Sequence, residues 1–378
     1  MIKNEVKNWK EYSLEQLLSY EQPTPYIVES TDYNDNYKTP VLTAGKSFII
    51  GYTKETEGIY NKLPVIIFDD FTTATQYVKF PFKVKSSAMK ILTPNLDLVL
   101  PKFIFYRMQT IQFDASTHKR YWIQQYSKIK VKIPPIDEQK RIVEKIEELF
   151  SELDNGVETL KKTKQQLAVY RQAVLKEAFC LKGQTVKVSS ICTVVRGGSP
   201  RPAGDEKYYN GKIPFLKVAD LTNSNDMYLN TYTHTIKEAG LKKTRMVPPN
   251  TLLLSNSGAT LGVPKICTFA TTFNDGIAAF LNLEDGCEYL PFHYYFWLSK
   301  LPEMRAINQG AAQPNLNTTI IGDVNIPYFD FEKQREIAGW IESRMSVCDN
   351  IKKTVDMALQ QAEAMRQSIL KKAFEGEL

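Results

Sequence analysis

Apolar residues recur at steps of three and four along two long, proline-free segments of the chain. In the first segment, the positions that we expect to pack against a partner helix are Ile146, Leu149, Leu153, Leu160 and Leu167. In the second segment they are Ile341, Ile351, Val355 and Met365. Alternating steps of three and four form the seam of a coiled coil. The pattern predicts two long helices, each about 60 Å in length at 1.5 Å per residue.

The two helical segments are copies of one another. Residues 139–179 return as residues 334–374 at a constant offset of 195, as in the pair Asp154 and Asp349, since 349 − 154 = 195. Some 145 dissimilar residues separate the copies, which excludes a solenoid. If a two-fold axis relates the halves, helices that pair across it must run antiparallel. The sequence therefore predicts a pseudo-two-fold chain whose two long helices pair as an antiparallel coiled coil.

The regions outside the helices, 1–134 and 183–327, share an order of short hydrophobic runs. Each has a strand that contains proline, then a fully apolar strand that runs into small polar residues, then an aromatic helix and a last strand ending in Ile-Pro. Short β-rich runs with one or two helices indicate an α+β fold. We therefore predict two globular domains, 1–134 and 183–327, each followed by a long helix at 135–182 or 328–378.

Composition narrows the class of protein. The chain has 378 residues, of which 43% are hydrophobic, and a net charge of +6, which permits a polyanionic partner without proving one. It has no apolar run of the length that spans a membrane, and its polar start does not resemble a signal peptide. The five cysteines are scattered without a CxxC pair, as expected of reduced thiols in the cytoplasm. The three histidines have no metal-ligand spacing, so we expect no metal site.

Loops at the strand ends carry side chains that can contact bases and phosphates. Arg, Lys, Asn and Gln pair with base edges, while Ser, Thr and backbone amides bind phosphates. In the first region the candidates are Lys46, Tyr52, Lys54, Thr72, Thr73, Lys83, Lys85, Ser86, Ser87, Lys119, Arg120 and Tyr121. In the second they are Arg196, Ser199, Arg201, Lys207, Tyr208, Lys217, Ser255, Asn256, Ser257, Thr260, Gln309, Gln313, Asn315 and Asn317. Polar loops are common in any protein, so each residue alone is weak evidence.

Catalytic motifs are missing from the sequence. Neither Pro-Pro pair fits the (D/N)PP(Y/F) loop of an adenine methyltransferase, and the stretch 258–262 lacks the spacing of a phosphate-binding loop. Asp69 and Asp70 faintly resemble a metal-dependent nuclease, but the glutamate of such a site is missing, which favours a polar loop. We therefore predict a chain with no catalysis of its own.

The order of these parts resembles the specificity subunit of type I restriction–modification systems. The features that carry the resemblance are Glu138-Gln139 at the start of the first helix, and Arg171-Gln172 with Phe179 near its end. Their repeats in the second helix are Gln334, Arg366-Gln367 and Phe374. The resemblance implies that two target-recognition domains each recognise one half of a bipartite, asymmetric site in double-stranded DNA. The helices would set the gap between the halves.

The same resemblance implies partners and cofactors. Two methyltransferase subunits would dock on the helices at Arg171, Gln172, Phe179, Arg366, Gln367 and Phe374. They would use S-adenosylmethionine to methylate adenine N6, and two motor-nuclease subunits would add ATP- and Mg-dependent restriction. The chain itself would bind no cofactor.

Two other interpretations remain open at this point. A coiled-coil scaffold with two protein-binding heads explains the repeat, but not the Arg-, Asn- and Ser-rich loops of both heads. An orphan relative whose heads no longer bind DNA would have the same sequence features.

Overall fold

The computed structural model describes residues 9–43, 48–116, 119–180, 183–258, 260–283, 289–307 and 316–378. Its internal contacts divide the chain into two compact units. The first unit contains Met1–Lys161 and Asp356–Leu378, and the second contains Lys162–Val355. Each unit therefore combines one sheet-rich domain with a part of each long helix. In the described part of the chain, no helix is long and apolar enough to cross a membrane.

The first domain is built from short strands and two short helices that precede a long one. Its elements are β1 (Lys10–Ser13), α1 (Leu14–Leu17), β2 (Leu18–Glu21), β3 (Thr39–Leu42), β4 (Ile49–Thr53), β5 (Val65–Asp69), β6 (Thr75–Val78), β7 (Lys83–Val84), β8 (Met89–Pro94), α2 (Pro101–Met108), β9 (Lys130–Ile133) and the long helix α3 (Ile136–Phe179). Four strands pair in the order β2-β8-β5-β6, three in the order β4-β3-β7, and β1 pairs with β9.

The second domain repeats this plan with more strands. Its elements are β10 (Thr185–Lys187), α4 (Val188–Ile191), β11 (Thr193–Arg196), β12 (Tyr209–Leu216), α5 (Val218–Thr222), β13 (Tyr228–Leu229), β14 (Thr235–Ile236), β15 (Arg245–Val247), β16 (Thr251–Ser255), β17 (Pro264–Cys267), β18 (Thr271–Phe273), β19 (Ile277–Leu281), α6 (Leu290–Ile307), α7 (Thr318–Gly322), β20 (Asn325–Pro327) and the long helix α8 (Phe331–Glu375). The strands pair in the orders β11-β19-β16-β17-β13 and β14-β12-β18-β15, and β10 pairs with β20.

In both domains the fully apolar strand lies between two hydrophobic cores. Successive side chains of a strand point to opposite faces of the sheet. On β5, Ile66 and Phe68 therefore pack into the core that includes α2 and α3, while Ile67 packs into a second core on the other face. On β16, Leu252 and Leu253 separate into two cores in the same way. This double burial explains why neither strand shows alternating polar positions in the sequence.

The first and last strands of each domain pair with one another. β1 and β9 are antiparallel, with Lys10 opposite Ile133, and β10 and β20 are antiparallel, with Thr185 opposite Pro327. These pairs bring both ends of a domain to the start of its long helix. The shared order of elements predicted from the sequence is confirmed, as is the mixed fold of two sheet-rich domains with long helices.

The predicted seam residues of the two long helices differ in their exposure. The buried seam residues are Ile146, Ile341 and Val355, and the half-buried ones are Leu149, Leu153, Leu160 and Leu167. By contrast, Ile351 is 40% exposed and Met365 is 50% exposed. With 3.6 residues per turn, Met365 lies roughly 80° around the helix from buried Val355. Ile351 lies roughly 40° from Val355, at the edge of the buried stripe.

Candidate nucleic-acid interface

A tight turn follows β5 in the first domain and exposes one of the predicted contacts. Oδ1 of Asp69 accepts hydrogen bonds from the backbone N–H groups of Phe71 (2.9 Å) and Thr72 (3.2 Å). Thr73 has a φ of 60°, the left-handed conformation that closes such a turn. The guanidinium carbon of Arg120 lies 6.0 Å from the centre of the Phe71 ring. The exposed side chains of Thr72 and Arg120 therefore belong to one surface.

Asp70 connects this turn to a second loop. Its Oδ1 accepts a hydrogen bond from the backbone N–H of Trp122 (2.8 Å), and its Oδ2 lies 3.1 Å from Nζ of Lys90. The backbone oxygen of Asp70 accepts from the N–H of Tyr121 at 3.0 Å. The described residues contain no group of three or more His, Cys, Asp or Glu side chains placed to bind a metal ion. The structural, polar-loop interpretation of Asp69-Asp70 therefore holds, because both carboxylates position loops.

The remaining candidates of the first domain differ in exposure. Exposed candidates are Lys54, Thr72, Lys85, Ser86, Lys119 and Arg120, and half-buried ones are Tyr52, Thr73 and Ser87. The predicted DNA contact is wrong for Lys83, because its ammonium is buried between the Glu57 carbonyl (2.7 Å) and Glu55 (2.9 Å). It is also wrong for Tyr121, which is 1% exposed. Lys46 lies outside the described residues.

In the second domain, three predicted residues meet at one cavity. Ser199, Arg201 and Lys217 line a space of about 300 Å³. Its other polar lining residues are Asn210, His234, Asn274 and Asp275. The cavity therefore combines cationic, anionic and amide groups, and part of its lining comes from loops that the sequence singled out.

Asp275 places a negative charge at this cavity. Oγ of Ser199 donates a hydrogen bond to its Oδ1 at 2.7 Å. That hydrogen bond lowers the pKa of Asp275 below its usual range, and the nearby charges of Arg196 and Arg201 act in the same direction. Nε of Arg196 also donates to the backbone oxygen of Asp275. The carboxylate is thus ionised at neutral pH and can accept a hydrogen bond from an amino group of a base.

A chain of hydrogen bonds orients His234, which the sequence did not single out. Buried Asp220 accepts from the backbone N–H of Lys217 (2.8 Å) and from the hydroxyl of Thr233 (2.7 Å). Oγ1 of Thr233 lies 2.7 Å from Nδ1 of His234. A hydroxyl has one proton, so Nδ1 of His234 must be the donor in that contact. Asp220 lies 13 positions before Thr233, and none of the three residues belongs to a motif, so the sequence offered no signal for them.

Other candidates of the second domain are buried or lie outside the described residues. Exposed candidates are Arg196, Arg201, Lys207, Thr260 and Asn317, and half-buried ones are Ser199, Tyr208, Lys217 and Ser257. The prediction is wrong for Ser255, whose buried hydroxyl donates to the Thr260 carbonyl (2.7 Å) and accepts from the N–H of Val263 (2.9 Å). It is also wrong for Asn256, which is fully buried. Gln309, Gln313 and Asn315 lie outside the described residues.

The predicted docking residues mostly contact their own unit. Arg171 forms an ion pair with Asp349 in the second unit, and Arg366 forms the equivalent pair with Asp154 in the first. The Arg366 guanidinium carbon also lies 4.1 Å from the centre of the Phe150 ring. Both arginines thus contact their own unit, but their side chains are 33% and 30% exposed, so docking stays a prediction for Arg171 and Arg366.

Phe179 near the end of α3 and Phe374 near the end of α8 pack on their own units in the same way. The ring of Phe374 packs on Phe103 with centroids 5.3 Å apart, and the ring of Phe179 packs on Phe292 at the same distance. The prediction of partner docking is wrong for Phe374, which is 6% exposed, and half-buried Phe179 is mostly covered by its own domain. Gln172 and Gln367 are exposed, so docking stays a prediction for them.

Buried glutamines at the helix starts perform the same task in both units. Oε1 of Gln139 accepts from the backbone N–H of Leu100 (2.8 Å), directly before α2, and its Nε2 donates to the Pro134 carbonyl (2.9 Å). Oε1 of Gln334 accepts from the N–H of Tyr289 (3.1 Å), directly before α6, and its Nε2 donates to the Phe329 carbonyl (3.0 Å). One glutamine of the repeat thus anchors the aromatic helix to the long helix in each unit.

Comparison with known proteins identifies the family. The family profile described as type I restriction modification DNA specificity domain matches residues 6–168 and 182–361. The chain belongs to this family of type I specificity subunits. The resemblance seen in the sequence is therefore confirmed.

Relatives within the type I specificity family differ in their sequence identity to this chain and in the share of it that they cover. The EcoR124I/EcoR124II specificity subunit of Escherichia coli is 39% identical over 264 residues, 64% of this chain and 62% of the relative. The StySPI specificity subunit of Salmonella potsdam is 22% identical over 97% of this chain and 85% of its own length. The chain spans less than two thirds of the EcoR124I and EcoBI subunits, 62% and 58%.

Solved structures share the fold of the chain. A chain from a study of complex assembly and conformational transition of the type I R-M system aligns with a TM-score of 0.73 at 18% identity, covering 98% of both chains. The HsdS subunit from Thermoanaerobacter tengcongensis aligns with a TM-score of 0.54 at 18% identity, covering 98% of this chain and 97% of that one.

Proposed function

We propose that the chain is the non-catalytic specificity subunit of a type I restriction–modification enzyme. Each of its two domains recognises one half of a bipartite, asymmetric site in double-stranded DNA. The chain thereby directs adenine-N6 methylation and restriction that partner subunits carry out in the cytoplasm.

One observation carries this proposal: equivalent frameworks present unlike polar loops. Gln139 and Gln334 make equivalent hydrogen bonds, and the strands β5 and β16 are buried alike. The loops beyond these strands differ, since one domain offers Thr72 with Arg120 and the other offers the cavity of Arg201 and Lys217. A scaffold for one kind of protein partner gives no reason for the frameworks to match and the loops to differ. Recognition of two different DNA half-sites does.

We further infer that α3 and α8 pair as an antiparallel coiled coil that sets the gap between the half-sites. Contacts inside each unit support this direction. In the first unit, Ile146 near the start of α3 shares a core with Leu370 near the end of α8. In the second unit, Leu175 near the end of α3 shares a core with Ile341 near the start of α8.

The repeat of the long helices also supports the proposed partner subunits. Gln172 and Gln367 occupy equivalent exposed positions, which suits two copies of one methyltransferase subunit. In this proposal those subunits bring S-adenosylmethionine, and two motor-nuclease subunits use ATP and Mg. The chain described here needs to supply only DNA recognition and positioning.

Gel shifts with the methyltransferase partner, followed by mapping of methylated sites, test the proposal. Duplex binding should weaken with salt, because phosphate contacts release counterions. Replacing Arg201 and Lys217 by alanine should weaken binding by about 1–3 kcal/mol for each lost base contact, or lower the salt slope by about 1 for each lost phosphate contact. Lys62→Ala is the matched control, because this lysine is exposed and lies outside the candidate loops. A chain that shifts no duplex at low salt, with its partner present, would contradict this proposal and would be a scaffold or an orphan relative whose heads no longer bind DNA.

A further inference from the structure

The cavity of the second domain carries a cation and an anion whose individual contacts the proposed function does not specify. Arg201 and Asp275 both line this space of about 300 Å³. The hydroxyl of Tyr209 lies near both of them and donates to the Pro200 carbonyl at 2.7 Å. Burial raises the pKa of Tyr209, and the charges of Arg201 and Asp275 act on that pKa in opposite directions. The cavity therefore presents a hydrogen-bond donor and an acceptor of opposite charge close together.

Both groups can still bind a ligand. Arg201 is exposed, and its guanidinium forms no hydrogen bond or ion pair with the described residues. Asp275 is half-buried, and its Oδ1 accepts a hydrogen bond from Ser199. In the part of the chain that the structure describes, no other residue donates to Oδ2 of Asp275, and Oδ2 is not one of the buried side-chain atoms without a partner. Each side chain thus has hydrogen-bonding capacity left at the cavity.

A carboxylate on a DNA-binding surface needs a physical reason. The phosphates of a duplex repel it, so an aspartate weakens the sequence-independent part of binding. The hydrogen bond from Ser199 lowers the pKa of Asp275, which therefore stays ionised at neutral pH. An ionised carboxylate can only accept hydrogen bonds. The amino group of a base is thus the part of a duplex that Asp275 can bind favourably.

The pattern of groups on each base pair narrows the choice of amino group. In the major groove, adenine N6 lies between two acceptors, adenine N7 and thymine O4. In the minor groove, guanine N2 also lies between two acceptors, guanine N3 and cytosine O2. A carboxylate at either amino group is therefore repelled from both sides. Cytosine N4 has an acceptor on one side only, guanine O6, and a guanidinium can donate to that oxygen and to guanine N7.

We propose that Arg201 and Asp275 recognise one G·C pair through the major groove, with the arginine at guanine and the carboxylate at the N4 amino group of cytosine. The inference rests on the proposed function and assigns one base pair of the half-site that the second domain recognises. Along the edge of this pair the order is acceptor, acceptor and donor. Arg201 supplies donors for the first two groups, and Oδ2 of Asp275 supplies the acceptor for the third.

Methylation mapping of the full chain with its methyltransferase partner is the first test. Asp275→Asn keeps an oxygen that can accept from Ser199 and replaces the second acceptor by an N–H donor. One G·C position in one half-site should then lose its requirement, while every other position and the other half-site stay defined. Glu206→Gln is the matched control, because this exposed carboxylate lies five residues after Arg201 and does not line the cavity. It should leave both half-sites unchanged.

A gel shift with a modified duplex tests the contact without changing the protein. The cytosine of the relaxed pair is replaced by an analogue that lacks the N4 amino group. The wild-type chain, with its partner present, should bind this duplex roughly 10- to 100-fold more weakly, since the carboxylate loses its partner. Asp275→Asn should lose far less affinity. The same analogue at another G·C pair of that half-site is the control, and it should affect both proteins equally.

Three outcomes would overturn this assignment and leave the proposed function intact, because the chain would still bind its bipartite site. Relaxation at an A·T pair, or at a whole half-site, would show that Asp275 reads another base or only positions its loop. Equal losses from the analogue in the wild type and Asp275→Asn would show that the carboxylate does not contact cytosine. Arg201→Ala that weakens all duplexes alike, with a lower salt slope, would place the arginine on a phosphate. Failure of the wild type to bind any duplex would instead contradict the proposed function.

Discussion

The carboxylate of Asp70 and the ammonium of Lys90 form a buried ion pair, with Oδ2 3.1 Å from Nζ. Only 2% of the Asp70 side chain and 1% of the Lys90 side chain are exposed. Nζ of Lys90 also donates to Oε1 of Gln22 at 3.1 Å, and Oδ1 of Asp70 accepts from the N–H of Trp122. The pair therefore connects the turn after β5 to the loop that carries Arg120.

Replacing Lys90 by methionine should destabilise the first unit by about 3–5 kcal/mol, because it leaves a buried carboxylate without its counterion. The double variant Lys90→Met with Asp70→Asn should recover part of that loss, since it removes both charges. Urea unfolding measures both effects. A single variant as stable as the wild type would show that water reaches the pair.

The same pair should affect recognition by one domain only. In the Lys90→Met and Asp70→Asn double variant, we expect mapped methylation sites to lose specificity at the half-site of the first domain, while the other half-site stays defined. Loss of both half-sites together would contradict this, because it indicates a general folding defect.

The buried glutamines of the repeat give a third prediction. Gln139→Leu and Gln334→Leu each leave the backbone N–H before an aromatic helix and a carbonyl without partners. An unsatisfied buried group costs about 1–3 kcal/mol, so each variant should lose about that much or somewhat more in urea unfolding. Gln172→Leu is the matched control on an exposed face, where surface substitutions change stability by about 0.5 kcal/mol or less. Equal effects at Gln139 and Gln172 would contradict the anchoring role.

Local pattern predicted the elements of this fold well. The strands β5 and β16, the aromatic helices α2 and α6 and both long helices follow from the hydrophobic pattern, and the repeat showed that the plan occurs twice. These features depend on residues close together in the sequence. Hydrophobic periodicity of that kind can be recognised in a single sequence without any knowledge of tertiary contacts.

Side-chain roles that depend on distant partners could not be predicted. Lys83 was predicted to contact DNA, but Glu55 and the Glu57 carbonyl enclose its ammonium group. The ion pair of Arg366 could not be predicted, because its partner, Asp154, lies more than two hundred positions away. His234 carried no motif, since its orientation comes from Asp220 through Thr233. Loop sequences do not encode such pairs locally.

The pairing of Arg366 with Asp154 leads to a fourth prediction. The pair is partly exposed, so Asp154→Asn should cost about 0–1 kcal/mol and less at high salt. Arg366→Ala should cost more, because it also removes the guanidinium from the Phe150 ring, a contact of about 0.5–2 kcal/mol. Arg366→Lys should lie between them, since an ammonium stacks less well on a ring. Urea unfolding at low and high salt separates the contribution of the ion pair from that of the ring contact. Equal losses of stability in the Asp154 and Arg366 variants would exclude the ring contact.

Ser199→Ala should make the stability of the second unit depend differently on pH. Asp275 has a lowered pKa in the folded chain, mainly because Ser199 donates to it. Its contribution to stability is therefore present above the pKa of the unfolded state and is lost as the pH falls through the lower, folded pKa. Without the hydroxyl, the folded pKa rises towards its ordinary value and the contribution shrinks. The wild type should thus be more stable than Ser199→Ala at neutral pH, and this difference should narrow as the pH falls through and below the ordinary range of an aspartate, about 3.9. Ser199→Thr, which keeps a hydroxyl, is the control, and a difference that does not change with pH would show that Ser199 acts by packing alone.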